Sequence, residues 1–515
     1  MILTFENGKF ILHNAEPSKV SLDGFIKNFA TNTFQTTNPI KAARFRRYAD
    51  SKCERLFNKL LLKRHPFPAG GLISPMELKP FQREQGIPFI LERNRSYLAH
   101  EAGLGKSAQV IVAVNSKPGQ TLIICPSFLK INWAREITKW TVGFPEIKMI
   151  GEDAKEFNHN ADYIICSDSM VFKTWVLELL AKIKFRFVAV DEAHRFKNSG
   201  ALRTTAVFGG RIMEKGKVKV KSNGLIYRSE HSVMLSGTPL LRSAIDLWPV
   251  LYAMAPETIQ FMNYQEFGYR YTNPFEDSYG VVHFQGSNNE AELNSRIMGT
   301  FMQRITKADV LKELPSKLRE VIFIGGDKLH PEVALMNQQL TRTLQETEVE
   351  KPESLKDYAI VNHEIGLAKV KMVAAYVLNV LEYTNESILL FAHHIDVVER
   401  LKSLLEKYNP LVINGGVENT ERTKIQDKFQ NKQCRIIIGN LGAMNLGLTL
   451  TAGNRAMFCE FDWNYATNEQ GEDRIHRIGQ TESVLIQYFV LTDTLDEIKM
   501  TSMLSKKESS ERVIG

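Results

Sequence analysis

From about Leu78 onward, short runs of apolar and β-branched residues alternate with stretches whose apolar positions recur at helical spacing. Unbroken apolar runs predict strands buried on both faces, and the helical stretches between them predict crossovers linking parallel strands. The pattern places strands at Thr121–Cys125, Tyr163–Cys166, Phe187–Val190 and Val233–Leu235. A second set falls at Ile388–Phe391, Leu411–Ile413, Arg435–Ile438, Ala456–Phe461 and Val484–Val490. The expected class is α/β, with two lobes of roughly 150 residues each, built on parallel sheets. Between them, from about Ala244 to Asp357, the pattern turns helical and polar, with loops at Gln285–Glu290 and Glu346–Lys356.

Residues 1–75 follow a different pattern. Phe5–Leu12 predicts a hairpin around Asn7-Gly8, Ile40–Lys63 a helical stretch rich in Lys and Arg, and Pro66–Ser74 a linker. The expected organisation is a small basic α+β module (1–75), a first lobe (76–243), a helical insertion and brace (244–357), a second lobe (358–495) and a tail (496–515).

Composition narrows the class without choosing a partner. The 515 residues are 43% hydrophobic and 24% charged, as in globular proteins, and exceed what one core usually organises. No apolar run approaches the roughly 18 residues of a membrane span. The N-terminus lacks the basic-then-apolar order of a secretory signal, so a cytoplasmic setting is expected, at a bacterial nucleoid or in a host cytoplasm for a viral protein. The five cysteines are scattered and form no CxxC pair, which predicts buried reduced thiols. Lys and Arg number 65 against 58 Asp and Glu, a net of +7 that permits a polyanionic partner without demanding one.

Chemistry enters at Glu101-Ala102-Gly103-Leu104-Gly105-Lys106-Ser107. Backbone N–H groups of such a loop, with Gly103 and Gly105 allowing close approach, cradle phosphate oxygens at a helix N-terminus. Lys106 would neutralise the β- and γ-phosphates and Ser107 would ligate Mg²⁺. His100 stands where the strict phosphate-loop pattern has Gly; alone, the segment is also compatible with an ordinary glycine turn. Val188-Ala189-Val190-Asp191-Glu192-Ala193-His194 is an apolar strand ending in two carboxylates. Asp191 suits a Mg²⁺ shell and Glu192 suits a base that orients water, although a single Asp-Glu also serves as a helix cap. Both elements in this order, each after an apolar strand, specify a nucleotide hydrolase. Far downstream, Arg474 and Arg477 are three residues apart, and on a helix they share a face. Two guanidinium groups there would stabilise the transition-state charge from the other lobe; a solvated basic face is the plainer alternative.

These motifs resemble those of the SWI/SNF ATPases of helicase superfamily two. Asp473-Arg474-Ile475-His476-Arg477-Ile478-Gly479-Gln480 is the most diagnostic string. Leu78-Lys79-Pro80-Phe81-Gln82 is similar to the adenine-reading motif, Cys125-Pro126-Ser127 with Asn132-Trp133 to motif Ia, and Ser236-Gly237-Thr238-Pro239 to motif III. Arg304, Lys307 and Asp309-Val310-Leu311 are similar to the family's brace. Phe391-Ala392-His393-His394 and Asn445-Leu446-Gly447-Leu448-Thr449 are similar to the annealing-helicase branch, and Phe34-Gln35-Thr36 with Tyr48-Ala49-Asp50 to its HARP-type module. The resemblance covers about residues 76–495 and implies two tandem RecA-like lobes. It assigns Gln82, Gly447 and Gln470 to the nucleotide, and Lys130, Ser167, His393 and Asn440 to a DNA groove. Departures from the family occur at His100, Ala102, Gly442 and Tyr465.

Between Asp191-Glu192-Ala193-His194, which resembles motif II, and motif III, Lys215–Arg228 alternates around Asn223-Gly224 and predicts a β-hairpin, within 211–230, with Lys217 and Lys219 on one face. That face is either merely solvated or a clamp on a phosphate backbone. The resulting expectation is an ATP- and Mg²⁺-dependent translocase, monomeric and stimulated by duplex or forked DNA. Its work would be fork remodelling, strand annealing, recombination or repair. A strand-separating helicase and an ATP-switched DNA-binding scaffold are the alternatives.

Overall fold

The computed structural model describes the chain except for residues 8, 16–24, 37–41, 43–44, 46–47, 51–52, 54–70, 152–159, 215–216, 241–242, 278–279, 312–314, 348–354, 445–447 and 515. At the N-terminus, β1 (Ile2–Glu6) and β2 (Lys9–His13) pair antiparallel from Glu6↔Lys9 outward, the pairing the expected hairpin requires. Asn7 takes φ 48°, the left-handed conformation that such a tight turn requires. With β3 (Ile26–Asn28) and β4 (Thr33–Thr36) they form a four-stranded sheet over Leu3, Phe10, Leu12 and Phe34. The expected helix at 40–63 and linker at 66–74 lie largely outside the described residues.

The first large sheet is seven-stranded and parallel throughout. Its strands are β5 (Arg95–Leu98), β6 (Thr121–Cys125), β7 (Ile147–Met149), β8 (Tyr163–Ser167) and β9 (Phe185–Val190), with the late additions given below. After β9 the chain forms a hairpin of β10 (Gly210–Glu214) and β11 (Lys217–Ser222), then re-enters the sheet as β12 (Ser229–Leu235). A second hairpin, β13 (Asn273–Glu276) with β14 (Val282–Gln285), precedes β15 (Met302–Gln303). The sheet order is β15-β5-β12-β9-β6-β8-β7. Every residue of β6 and β8 is buried, because helices cover both faces.

The second sheet is six-stranded and also parallel. It contains β16 (Lys317–Ile324), β17 (Ile388–Ala392), β18 (Leu411–Ile413), β19 (Ile436–Asn440), β20 (Arg455–Phe458) and β21 (Val484–Leu491), in the order β16-β21-β20-β17-β19-β18. Apolar layers again fill both faces. Two parallel-sheet lobes of the RecA-like type are thus present.

Two expectations need correction. The segment 244–357 is not one helical insertion. Its β15 joins the first sheet and its β16 joins the second, and the compact units divide between Ile305 and Thr306. Both strands escape the periodicity because β15 is two residues long and β16 carries Lys, Arg and Glu among its apolar positions. The basic hairpin is real, but Asn223-Gly224 is not its turn. Register runs from Gly210↔Ser222 to Glu214↔Lys217, so Asn223-Gly224 lies at the open end of the strand pair. Gly224 (φ 82°) sits at the hairpin's base, where an added Cβ would come within 2.7 Å of the Tyr227 ring. Close packing, rather than strand reversal, demands glycine there.

All five cysteines are buried and reduced. Cys125 and Cys166 lie on adjacent strands of the first sheet; Cys434 and Cys459 flank strands of the second. Burial pushes the Cys166 and Cys459 thiols up to about 12.

Candidate active site

In the first unit, β5 leads to Ala99 and His100, and Gly105 opens α1 (Lys106–Ser116). Gly105 caps the helix in the left-handed conformation, φ 71°, and Gly103 also has positive φ, 87°. A Cβ at 105 would meet Gln82 Nε2 at 2.5 Å, so glycine and the buried Gln82 share one niche. Gln82 Oε1 accepts the Lys79 amide at 3.0 Å, which leaves its amide group turned toward the loop. Lys106 Nζ donates to the His100 carbonyl at 2.8 Å, folding the loop onto its own lysine. The sequence-predicted Gln82, Gly105, Lys106 and the helix N-terminus bearing Ser107 therefore come together.

The carboxylate pair sits at the C-terminal end of β9, between β12 and β6, where side chains of an open parallel sheet emerge toward ligands. Asp191 accepts the Trp133 indole N–H at 2.9 Å, from α2 (Lys130–Trp140), and the Glu192 amide at 2.9 Å. Burial, reinforced by the neighbouring Glu192 charge, pushes the Asp191 carboxyl up to about 6. Glu192 itself holds φ 50°, a left-handed conformation that non-glycine residues rarely adopt and that clusters at functional sites. His194 is kept neutral: burial, then Arg195, lowers it to about 3. Its Nδ1 lies 2.9 Å from Ser236 Oγ and 3.3 Å from Glu192 Oε2. Ser236 Oγ also accepts the Thr238 amide at 3.1 Å. Motifs II and III are thereby joined through one neutral imidazole. Arg304 adds a second link, donating to the Ala99 and Gly237 carbonyls at 2.7 and 2.8 Å.

Sequence reasoning missed Trp133's bond to Asp191, a contact across 58 positions. It also missed Asp168, a buried carboxylate that accepts from Arg195 at 2.7 Å and Arg203 at 2.9 Å and anchors the turn after motif II. The assignment of Ser167 to a DNA groove is corrected. Its side chain is 1% exposed and its Oγ bonds Ser169 Oγ at 3.0 Å, so it faces the interior. Lys130 directs Nζ to the Ile150 carbonyl at 3.1 Å. Lys217 and Lys219 lie on β11, whose side chains fall outside the described residues.

In the second unit, the diagnostic string follows α3 (Tyr465–Glu472). Arg474 and Arg477 were expected on a helix; they lie beyond its end. Bonds such as Arg474 N–H to the Gly471 carbonyl, 3.1 Å, tighten the chain into turns of three residues, in which positions i and i+3 eclipse. Both guanidinium groups therefore still reach one acceptor, the Leu448 carbonyl, each at 3.3 Å. Gln470 gives its carbonyl to Arg474 Nε at 2.9 Å. Glu101–Leu104 pack with this unit, and a Cβ on Gly103 would come within 2.6 Å of Arg477 Cβ. Gly447 lies outside the described residues.

The arginines rest on a buried charge network that the sequence did not suggest. Lys307 Nζ bonds Asp473 Oδ1 and the His476 carbonyl, both at 2.6 Å. Lys317 Nζ reaches Glu472 at 2.8 Å and Asp473 at 3.3 Å, and Arg319 grips Glu472 at 2.8 and 2.7 Å. Burial would raise the Glu472 carboxyl, but Lys317 and Arg319 outweigh it and hold it down to about 2. Asp473 is likewise held well below the usual carboxylate range against its burial, by Lys307 and Lys317. Two buried acids matched by three cations satisfy the requirement that buried charge be paired.

His393 and Asn440 meet at the C-terminal ends of β17 and β19, where Asn440 Nδ2 donates to the His393 carbonyl. With His363, His394 and Arg400 they line an open groove. Glu460 ties the loop down by accepting the His393 and His394 amides at 2.8 and 3.0 Å. Among the described residues, no group of three or more His, Cys, Asp or Glu side chains is arranged to hold a metal. Nor, among them, is any helix long and apolar enough to cross a membrane.

Comparison with known families decides the lineage. The SNF2-related domain matches residues 81–364, more than half of the chain, and the helicase conserved C-terminal domain matches 368–479. The chain belongs to the SNF2-related family. Among SNF2-related proteins, it is 29% identical over 444 residues to a Caenorhabditis elegans homologue of SWI/SNF-related matrix-associated actin-dependent regulator of chromatin subfamily A-like protein 1. That match covers 84% of this chain and 61% of the relative. It is also 29% identical over 459 residues to the human DNA annealing helicase and endonuclease ZRANB3, covering 84% of this chain and 40% of that one. The chain thus spans between two fifths and three fifths of these relatives' lengths. A solved SNF2-type structure, the Sulfolobus solfataricus SWI2/SNF2 ATPase core in complex with dsDNA, aligns over 87% of this chain and 97% of that one at 21% identity, with a TM-score of 0.40.

Proposed function

We propose that this SNF2-related chain is a DNA-stimulated ATPase that hydrolyses ATP to ADP and phosphate and moves along duplex or forked DNA. Its work is fork remodelling, strand annealing, recombination or repair. The observation that carries the chemistry is the Asp191–Glu192 pair at the end of β9, with the Asp191 carboxyl pushed up to about 6 beside a second acid. A buried carboxyl beside a second acid favours added positive charge, which a divalent cation would supply there. The donors on offer, the Ser107 hydroxyl and the Asp191 carboxylate, are the hard oxygen ligands that Mg²⁺ prefers. When bound, the ion would neutralise phosphate charge.

The remaining roles belong to this chain's own groups. Lys106 leaves the His100 carbonyl for phosphate oxygens, and the amides of Gly103 to Ser107 receive the rest of the anion. Gln82 reads the base, with Gln470 and Gly447 assigned to the same nucleotide. Glu192 orients water and takes its proton, while neutral His194 relays the position of Glu192 to Ser236. Arg474 and Arg477, pinned to one carbonyl, supply transition-state charge. The groove holding His393 and Asn440 is assigned to the DNA backbone, with Lys130 and the Lys217–Lys219 stripe as further contacts. The annealing-helicase name of one relative supports action on DNA strands that re-pair.

Lys106→Ala and Glu192→Gln should abolish DNA-stimulated ATP turnover while leaving circular dichroism unchanged. Full turnover by Glu192→Gln would overturn the assigned chemistry. A fork substrate labelled on one strand, assayed with and without its complement, separates annealing from strand separation.

A further inference from the structure

His100, one of the two residues at which the phosphate loop departs from the family pattern, is wholly buried and holds two things at once. Its ring Nε2 lies 3.1 Å from Gln303 Oε1 on β15, and its backbone carbonyl receives Lys106 Nζ at 2.8 Å. Burial, followed by the charge of nearby Lys106, lowers the imidazole to about 3, so the ring is neutral and its Nε2–H donates to Gln303. The backbone repeats the connection: Ala99 N–H donates to the Gln303 carbonyl at 2.8 Å, and Arg304 caps the Ala99 carbonyl at 2.7 Å. The niche around the ring has no slack. A Cβ at Gly86 would lie 1.8 Å from Gln109 Oε1 and 3.0 Å from His100 Cε1. The next residue, Glu101, uses its carboxylate to accept the Lys307 amide, so two consecutive loop residues are fastened to the 303–307 segment.

We propose that His100 is a positioning residue of the phosphate loop: anchored to Gln303, it fixes the carbonyl on which Lys106 rests, and so sets the loop's readiness to receive a nucleoside triphosphate. This rests on the ATPase reading above. The physical reason is preorganisation. A glycine-containing loop with no anchor must be ordered by its ligand, and that ordering cost is charged against binding. A loop already fastened at its root exchanges only one partner, carbonyl for phosphate. The groups that act on the γ-phosphate, Asp191 and Glu192, stand on a different strand. Losing the anchor therefore weakens binding and spares the chemical step.

The test is a double-mutant cycle on the full chain, with steady-state ATPase at saturating duplex DNA and equilibrium titration with a fluorescent, slowly hydrolysed ATP analogue. His100→Ala and Gln303→Ala should each raise KM and the analogue's Kd by about 5- to 10-fold, the size of one lost hydrogen bond, with kcat within about 2-fold. The double variant should be no weaker than either single one, because one interaction is removed in all three. His100→Asn, which keeps a side-chain N–H donor, should recover part of the loss. Multiplying losses in the double variant, a fall in kcat at unchanged KM, or no change in either constant would each overturn the proposal. Should His100→Ala not fold, Gln303→Ala and His100→Asn decide it by the same constants. A wild-type chain that turns over no ATP would sink the ATPase reading instead, a distinguishable result.

Discussion

The Trp133 indole N–H donates to Asp191 Oδ2 at 2.9 Å, tying a helix of the first lobe to the carboxylate at the centre of its sheet. Trp133→Phe keeps the ring's packing and deletes this donor. The bond is one of the features restraining an Asp191 carboxyl that burial and Glu192 push up to about 6. Without it the carboxyl rises further. If, as proposed, the ionised form serves hydrolysis, the acid limb of kcat/KM should move from near pH 6 to higher pH, with a loss of about 2-fold at about pH 7 that grows toward about 10-fold below about pH 6. Superimposable pH profiles of variant and wild type would refute this role.

Ser236→Ala should separate binding from turnover. Its hydroxyl sits between His194 Nδ1 and the Thr238 amide, away from the phosphate loop. Nucleotide Kd should stay within about 2-fold, while DNA-stimulated kcat falls by about 10-fold or more, the pattern of an interaction needed only in the transition state. A change in Kd with kcat preserved would show the link to be merely architectural.

Gly105→Ala probes the loop from the other side. The left-handed φ of 71° costs a side-chain-bearing residue about 1–2 kcal/mol, and the new methyl would strike Gln82 Nε2. Nucleotide affinity should drop by about 10-fold or more with little change in circular dichroism. Unaltered affinity would mean that the loop does not hold phosphate in this form.

Lys317→Met leaves Glu472 and Asp473 buried with one cation fewer. Removing one partner of a buried ion pair costs about 3–5 kcal/mol near neutral pH. The pH dependence follows from the depressed Glu472 carboxyl, about 2 against an ordinary 4.5. Such a group binds protons more readily in the unfolded chain. Its stabilisation is complete above about pH 4.5 and is lost as pH falls through about 2. Thermal unfolding should therefore show a wide gap between Lys317→Met and wild type at neutral pH, narrowing in acid. A pH-independent gap would point to packing rather than charge.

What was legible in the sequence was whatever is written locally. The strands β6, β8 and β9 centre on apolar runs and β21 is broken only by Gln487, while the glycine loop at 101–107 and Asp191-Glu192 are short strings at strand ends, so periodicity and spacing suffice to single them out. Trp133 and Asp168 were not legible, because their partners stand 58 and at least 27 positions away and meet only when the sheet assembles. Lys317 and Arg319 look like a solvated edge, since charge on a strand suggests water; their acids arrive from a motif more than 150 residues downstream. Asn223-Gly224 carried a strong turn signature yet serves close packing against Tyr227. Arg474 and Arg477 share one acceptor in a tight turn rather than on the expected helix, because a three-residue spacing aligns side chains in both.

The buried thiols give each sheet its own clock. A neutral alkylating reagent meets Cys125 and Cys166 only when the first sheet opens, and Cys434 and Cys459 only when the second does. Labelling rates read by peptide mass thus report two opening free energies in one tube, without any engineered probe. A ligand seated on the phosphate loop must slow the first pair, so protection from modification becomes a measure of nucleotide occupancy that needs no turnover at all.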